Sequence, residues 1–225
     1  MSAELSRVLA IAWKDVTAER RSKANFNAVA FFAGMMLMMF GMATGADKLA
    51  LGAVATGILW LTVLLSGVLS FNRSYERELE NGALDALVLY PGERRSIFIG
   101  KLIANLAFVL LVEVIVVPVA AVLYNLDLAA IALPLAGVMF LGTFGFVTLG
   151  TFYAAISSRL RAREVLLPLL LFPMLIPLLL AAIEATNALL AGFNGDAWSW
   201  SSVLVAFDLI FLAAATVAFD YVIEA

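Results

Sequence analysis

Six apolar stretches, each bounded by charged or turn-forming residues, constrain this chain more than any other feature. They run over 26–44, 49–71, 102–124, 133–156, 165–183 and 202–221. A hydrocarbon core of roughly 30 Å is crossed by a helix of about 20 such residues. Lipid offers no water to bond a bare backbone, so spans of this length must be helices that satisfy their own N–H and C=O groups. Composition closes the soluble alternative: 64% of residues are hydrophobic and 14% charged, against about 45–50% and about 25% in an ordinary soluble domain. The mean hydropathy of +1.04 agrees. The expected fold is all-α, a polytopic membrane protein of six transmembrane helices.

Charge sets the orientation, because Lys and Arg stay in cytoplasmic loops. Thirteen of the fourteen basic residues fall before the first stretch, between the second and third, or between the fourth and fifth. Only Lys48 lies on the opposite side. Both termini are therefore expected in the cytoplasm. The start of the chain lacks the short apolar core of a cleaved signal, so the first span is expected to be retained. There, Ser2 precedes Leu5, Val8, Leu9, Ala12, Trp13 and Val16 at helical spacing, the pattern of an amphipathic helix lying in the membrane interface. The division expected is an interfacial helix over 1–25 and a six-helix domain over 26–225, with a cytoplasmic coupling loop at 72–101. The outer connections, 45–48, 125–132 and 184–201, leave no room for an extracytoplasmic domain.

The chain contains no cysteine and no histidine. That removes disulfides, thiolate metal sites and the commonest general base and haem ligand. No nucleophile and base stand at a recognisable spacing, so an intramembrane enzyme is disfavoured. A net charge of −3 gives no footing for nucleic acid. No Gly-x-x-x-x-Gly-Lys-Ser/Thr loop occurs, so any ATP is bound by another subunit.

Within the 72–101 segment, Glu76, Glu78 and Glu80 are expected on a short acidic helix that Gly82 ends through a left-handed turn. A second short helix then presents Leu84, Leu87 and Val88 beside Asp85, until Pro91 stops it. An apolar stripe with acidic flanks on a cytoplasmic loop suits a groove on a partner protein; resting on the membrane surface is the other reading. Pro168, Pro173 and Pro177 punctuate the fifth span as bends or hinges. Gly137, Gly142, Gly145 and Gly150 in the fourth point to close helix contact. Met35, Met36, Met38, Met39 and Met42 crowd the first, and adaptable apolar packing explains them better than ligation. Glu113 near the middle of the third span is costly in lipid and usually faces protein or a cavity, while Glu184 and Asp208 lie in or near the outer halves of the fifth and sixth, where Glu184 can also simply reach outer water. Each is either a polar contact along a pathway or interface, or a hydrogen-bonded packing contact.

The acidic segment resembles the first cytoplasmic loop of type-2 ABC permeases, whose pattern is Glu-Arg-Glu-x-Gly-Thr-Leu-Glu followed by Pro and then Gly-Lys. Here it reads Glu76-Arg77-Glu78, Gly82-Ala83-Leu84-Asp85, Pro91 and Gly100-Lys101. Ala83 and Asp85 depart from the usual Thr and Glu. Within that superfamily the chain resembles the heme exporter protein B (CcmB) family. The matching stretches are Lys14-Asp15 with Glu19-Arg20, Gly57-Ile-Leu-Trp60, Gly100-Lys101, Glu113 with Pro118, Arg161-Ala-Arg163-Glu164 running on to Pro168, and Phe207-Asp208 with Phe219-Asp220-Tyr221.

The resemblance implies a non-catalytic permease subunit in the bacterial inner membrane that serves cytochrome c maturation. It implies four partners: an ATP-binding subunit, a heme-handling membrane subunit, a small membrane subunit and a periplasmic heme chaperone. It further implies two permease copies in the assembly. ATP turnover by the partner would serve release of the heme-loaded chaperone, and heme would be held mainly by other subunits, with no cofactor bound directly by this chain. A permease of the same superfamily for a lipid-linked or hydrophobic substrate is the nearest alternative. An ATP-independent channel or scaffold is the distant one.

Overall fold

A computed structural model describes residues 2–21, 23–44, 48–80, 94–158 and 163–224. The described residues form seven helices: α1 (Ser2–Arg21), α2 (Lys23–Ala43), α3 (Lys48–Glu80), α4 (Arg95–Tyr124), α5 (Ala132–Ser158), α6 (Arg163–Leu190) and α7 (Asn194–Glu224). The last six contain stretches long and apolar enough to cross a membrane, from Ala24–Ala43 in α2 to Asn194–Asp220 in α7. The chain is an all-α, multi-pass membrane protein.

Successive spans alternate in direction, and side-chain contacts fix which ends lie together. Phe98 of α4 stacks on Phe219 of α7 at 5.2 Å between ring centroids, and Arg95 bonds Asp220 at 2.8 Å. Both termini, the start of α4 and the end of α3 therefore share one end of the bundle. At the far end the Tyr124 hydroxyl donates to the Leu37 carbonyl of α2 at 2.8 Å. Tyr124, the last residue of α4, is buried between helices, where its hydroxyl finds this acceptor.

The centre of the bundle is α5, which packs on α3, α4, α6 and α7. Small residues allow this. Gly142 lies under the indole of Trp60 and Gly150 under the ring of Phe71, and Gly67 of α3 reciprocally admits Phe146 of α5. A side chain at any of these three glycines would collide with the ring it faces. Gly137 has no neighbour within 4 Å and does not join the contact. Trp60, whose mid-span position resists an interfacial role, is buried and donates from Nε1 to Thr186 Oγ1 of α6 at 3.1 Å.

Two expectations are corrected by the helix boundaries. The segment 184–201 is not an open connection: α6 runs to Leu190 and α7 begins at Asn194. The tight turn between them is made with Gly192 at φ 80°, which glycine adopts without steric cost. Within the expected 72–101 connection, α3 continues unbroken to Glu80 and α4 opens at Arg95. Glu76, Glu78 and Glu80 thus extend α3 rather than forming a separate acidic helix. Nine residues beyond Phe71 carry α3 roughly 13 Å further along its axis. The fifth span's prolines, Pro168, Pro173 and Pro177, lie inside the continuous helix α6; Pro173 and Pro177 sit on its exposed face while Leu171, Leu175 and Leu178 fill the core.

The amphipathic stripe of α1 is divided. Val8, Ile11 and Ala12 are buried, whereas Leu5, Leu9 and Trp13 remain exposed. The buried line docks on α4, so α1 is part of the bundle and not a helix resting only on lipid.

Candidate functional site

The three membrane carboxylates occupy different environments. Glu113 of α4 is buried and accepts a hydrogen bond from the Thr143 hydroxyl of α5. Asp208 of α7 is also buried, with a carboxylate oxygen directly over Gly145 of α5. Neither of its oxygens has a hydrogen-bond partner among the described residues. Thr143 and Gly145 are two residues apart, about 200° around the helix and about 3 Å along it. Glu113 and Asp208 therefore lie at one depth on opposite sides of α5. Glu184 is not brought to them. Leu178 is the α6 residue beside Gly145, and Glu184, half-buried, stands six residues farther towards the far end, about 9 Å away along the axis.

Polar contacts that the sequence did not announce lie above and below this level. Asn105 of α4 donates to Thr151 of α5 at 2.9 Å, and Thr56 of α3 donates to Asn187 of α6 at 2.6 Å. Each joins two helices that lipid alone gives no hydrophobic reason to associate. The signal for them was present, since Thr and Asn inside apolar spans must bond something. Which helix supplied the partner was not readable from one span.

At the termini end a second set of polar groups surrounds the start of α4. Ser96 donates to the Glu4 carboxylate of α1. Lys101, with a side chain that is fully buried, reaches Asp15 of α1 at 3.3 Å. The expected coupling residues border this region: Glu76, Glu78 and Glu80 end α3, while Gly82, Leu84, Asp85, Leu87 and Val88 lie outside the described residues. Of the expected cytoplasmic-loop residues, Arg163 and Glu164 open α6, and Arg161 lies outside the described residues.

No group of three or more Asp or Glu side chains with metal-site geometry occurs among the described residues. The chain has no His or Cys, and Met35, Met38, Met39 and Met42 of α2 are exposed.

The description "CcmB protein" belongs to a family whose sequence model matches residues 6–225, nearly the whole chain. The chain belongs to the CcmB family. It is 34% identical to heme exporter protein B of Rhodobacter capsulatus over 176 residues, covering 73% of this chain and 79% of that protein. It is 33% identical to heme exporter protein B of Paracoccus denitrificans over 207 residues, 91% of this chain and 89% of the other. Heme exporter protein B of Haemophilus influenzae is 31% identical over 177 residues, 79% and 78% of the two chains. The stretches by which sequence alone resembled CcmB thus fall on identifiable places in the bundle. Trp60 keys α3 to α5 and α6, Glu113 and Asp208 flank α5, and Gly100-Lys101 opens α4 against α1.

Proposed function

We propose that this chain is the membrane-spanning permease subunit of an ABC transporter for cytochrome c maturation, lying in the bacterial inner membrane with both termini cytoplasmic. Membership of the CcmB family over nearly the full length carries the reading. Its relatives bear the name heme exporter protein B, and the distribution of Lys and Arg supports the orientation. The chain contains no phosphate-binding loop of its own, so hydrolysis belongs to a separate ATP-binding subunit. A heme-handling membrane subunit, a small membrane subunit and a periplasmic heme chaperone complete the assembly. Heme is cargo of the complex; what this chain contributes is a rigid bundle that carries a nucleotide-driven displacement across the membrane and serves release of the loaded chaperone.

The segment between α3 and α4 is the docking element for the ATP-binding subunit, with Leu84, Leu87 and Val88 as its apolar stripe. The helix before it supports this role, since α3 runs on to Glu80, past Phe71 where its apolar span ends. Changing Leu84 and Leu87 together to Asp would place unpaired charge in the contact. The expected result is loss of the ATP-binding subunit from the purified complex while the permease still accumulates in the membrane. Undiminished co-purification would refute the docking element.

A further inference from the structure

Lys14-Asp15 and Gly100-Lys101, two of the stretches that mark the family, meet in the fold although Asp15 and Lys101 are 86 residues apart. Lys101 lies on the second turn of α4 with no exposed side-chain surface, and its Nζ is 3.3 Å from Asp15 Oδ2. Lys14 Nζ lies 3.2 Å from the other Asp15 oxygen. One residue earlier, Gly100 permits the approach. A Cβ there would stand 2.8 Å from the Ile11 side chain and 3.1 Å from the Val8 carbonyl oxygen. Farther back, Ser96 bonds Glu4. Contacts therefore run from Glu4 to Asp15 on α1 and from Ser96 to Lys101 on α4, and α1 packs far more extensively on α4 than on α2, the helix that follows it.

A helix that served only as a membrane anchor would have no use for a buried lysine. Removing such a charge from water is costly, and separating it from its partner is costlier still. The pair is thus a strong constraint on relative position, unlike an exposed ion pair of small energy. Both ends of this constraint sit at strategic points in the chain: α4 begins directly after the proposed docking segment, and α1 leads into α2.

We infer that Asp15, Lys101 and Gly100 form a clamp that makes α1 and the first turns of α4 a single rigid body, through which displacement of α4 is passed to the start of α2. Asp15 and Lys101 are positioning residues. The source of the displacement rests on the permease reading; the clamp itself does not.

The chain contains no cysteine, which permits paired spin labels on the full-length protein in lipid vesicles. Leu9 of α1 and Ile103 of α4 are both exposed and suit labelling. One narrow Leu9–Ile103 distance is expected in the parent protein. Asp15→Asn should broaden it, Asp15→Glu should keep it narrow, and exchanging the charges with Asp15→Lys and Lys101→Asp should narrow it again. A broad distance in the parent, or an unbroadened one in Asp15→Asn, overturns the clamp. In the complex with the ATP-binding subunit, nucleotide should shift the distance from Leu9 to exposed Leu209 of α7 while leaving Leu9–Ile103 unchanged. A nucleotide-dependent Leu9–Ile103 distance overturns the single rigid body. If neither distance responds to nucleotide, the permease reading and the transmission role fall together, and the vesicle measurement decides the clamp separately.

Discussion

On the side of α5 that faces α3 and α4, polar side chains are paired: Thr143 donates to Glu113, and Asn105 donates to Thr151. On the other side, facing α7, Asp208 lies over Gly145 with neither oxygen bonded among the described residues. Glu113 and Asp208 are both carboxylic acids and lie at one depth. In a bundle surrounded by lipid, a carboxyl group that has been given a donor is part of the packing. One that has not is retained at a cost that packing does not explain. The comparison separates two residues that hydropathy alone treats as equivalent.

The contrast depends on α5 being held in place by its glycines, and breaking that hold is expected to have the largest effect. Gly150→Val would drive a branched side chain into Phe71, which is fully buried. The expected cost is upwards of about 3 kcal/mol, the top of the usual overpacking range, seen as loss of monodisperse protein after extraction from the membrane. Gly137→Val is the control. Its surroundings are open, and its melting temperature should match the parent. Equal behaviour of the two variants would show that close glycine contacts do not hold α5 in the bundle.

Glu113 comes next. Glu113→Leu strands the Thr143 hydroxyl and removes its acceptor, and an unsatisfied buried group costs about 1–3 kcal/mol. Glu113→Gln keeps an acceptor oxygen at the same reach and should retain most of the stability. Thermal unfolding of both variants, alone and combined with Thr143→Val, tests this through a double-mutant cycle. Additivity of Glu113→Leu and Thr143→Val would show that the bond contributes nothing.

How much of each element is legible in the sequence differs for physical reasons. The six spans were legible because a stretch of lipid-compatible residues is long and admits only one backbone solution. The end of α3 was not legible. Glu76, Glu78 and Glu80 are polar, and nothing local distinguishes a helix that continues past the lipid from a new one that starts there. The division of the α1 stripe was hidden for a related reason: Leu5, Leu9 and Trp13 satisfy the same periodicity as Val8 and Ala12, and only the position of α4 decides which line is covered. The Asp15–Lys101 pair lay beyond reach because it joins residues far apart in the chain. Lys101 at the edge of a span reads as an interfacial cation until the fold buries it.

The smallest expected change in stability is at Asp208, and it sharpens the comparison most. Leu has the same heavy-atom count and branching as Asp, so Asp208→Leu leaves no cavity over Gly145, although its methyl groups are bulkier than the oxygens they replace. It surrenders no hydrogen bond among the described residues. Replacing an unpaired buried carboxylate by an apolar side chain is neutral or stabilising by about 1 kcal/mol. Asp208→Asn, the customary conservative change, brings two N–H donors to a buried position where neither carboxylate oxygen has a hydrogen-bond partner among the described residues, and is expected to be the less stable of the two. The order of the amide and leucine variants is therefore reversed relative to Glu113. Thermal unfolding of the four single variants decides it. If Asp208→Leu unfolds below Asp208→Asn, Asp208 has a partner in the folded protein and the two sides of α5 are alike. If the order is reversed as expected, Asp208 is not kept for stability, and chaperone release by the assembled complex should fall in Asp208→Leu although the bundle is intact.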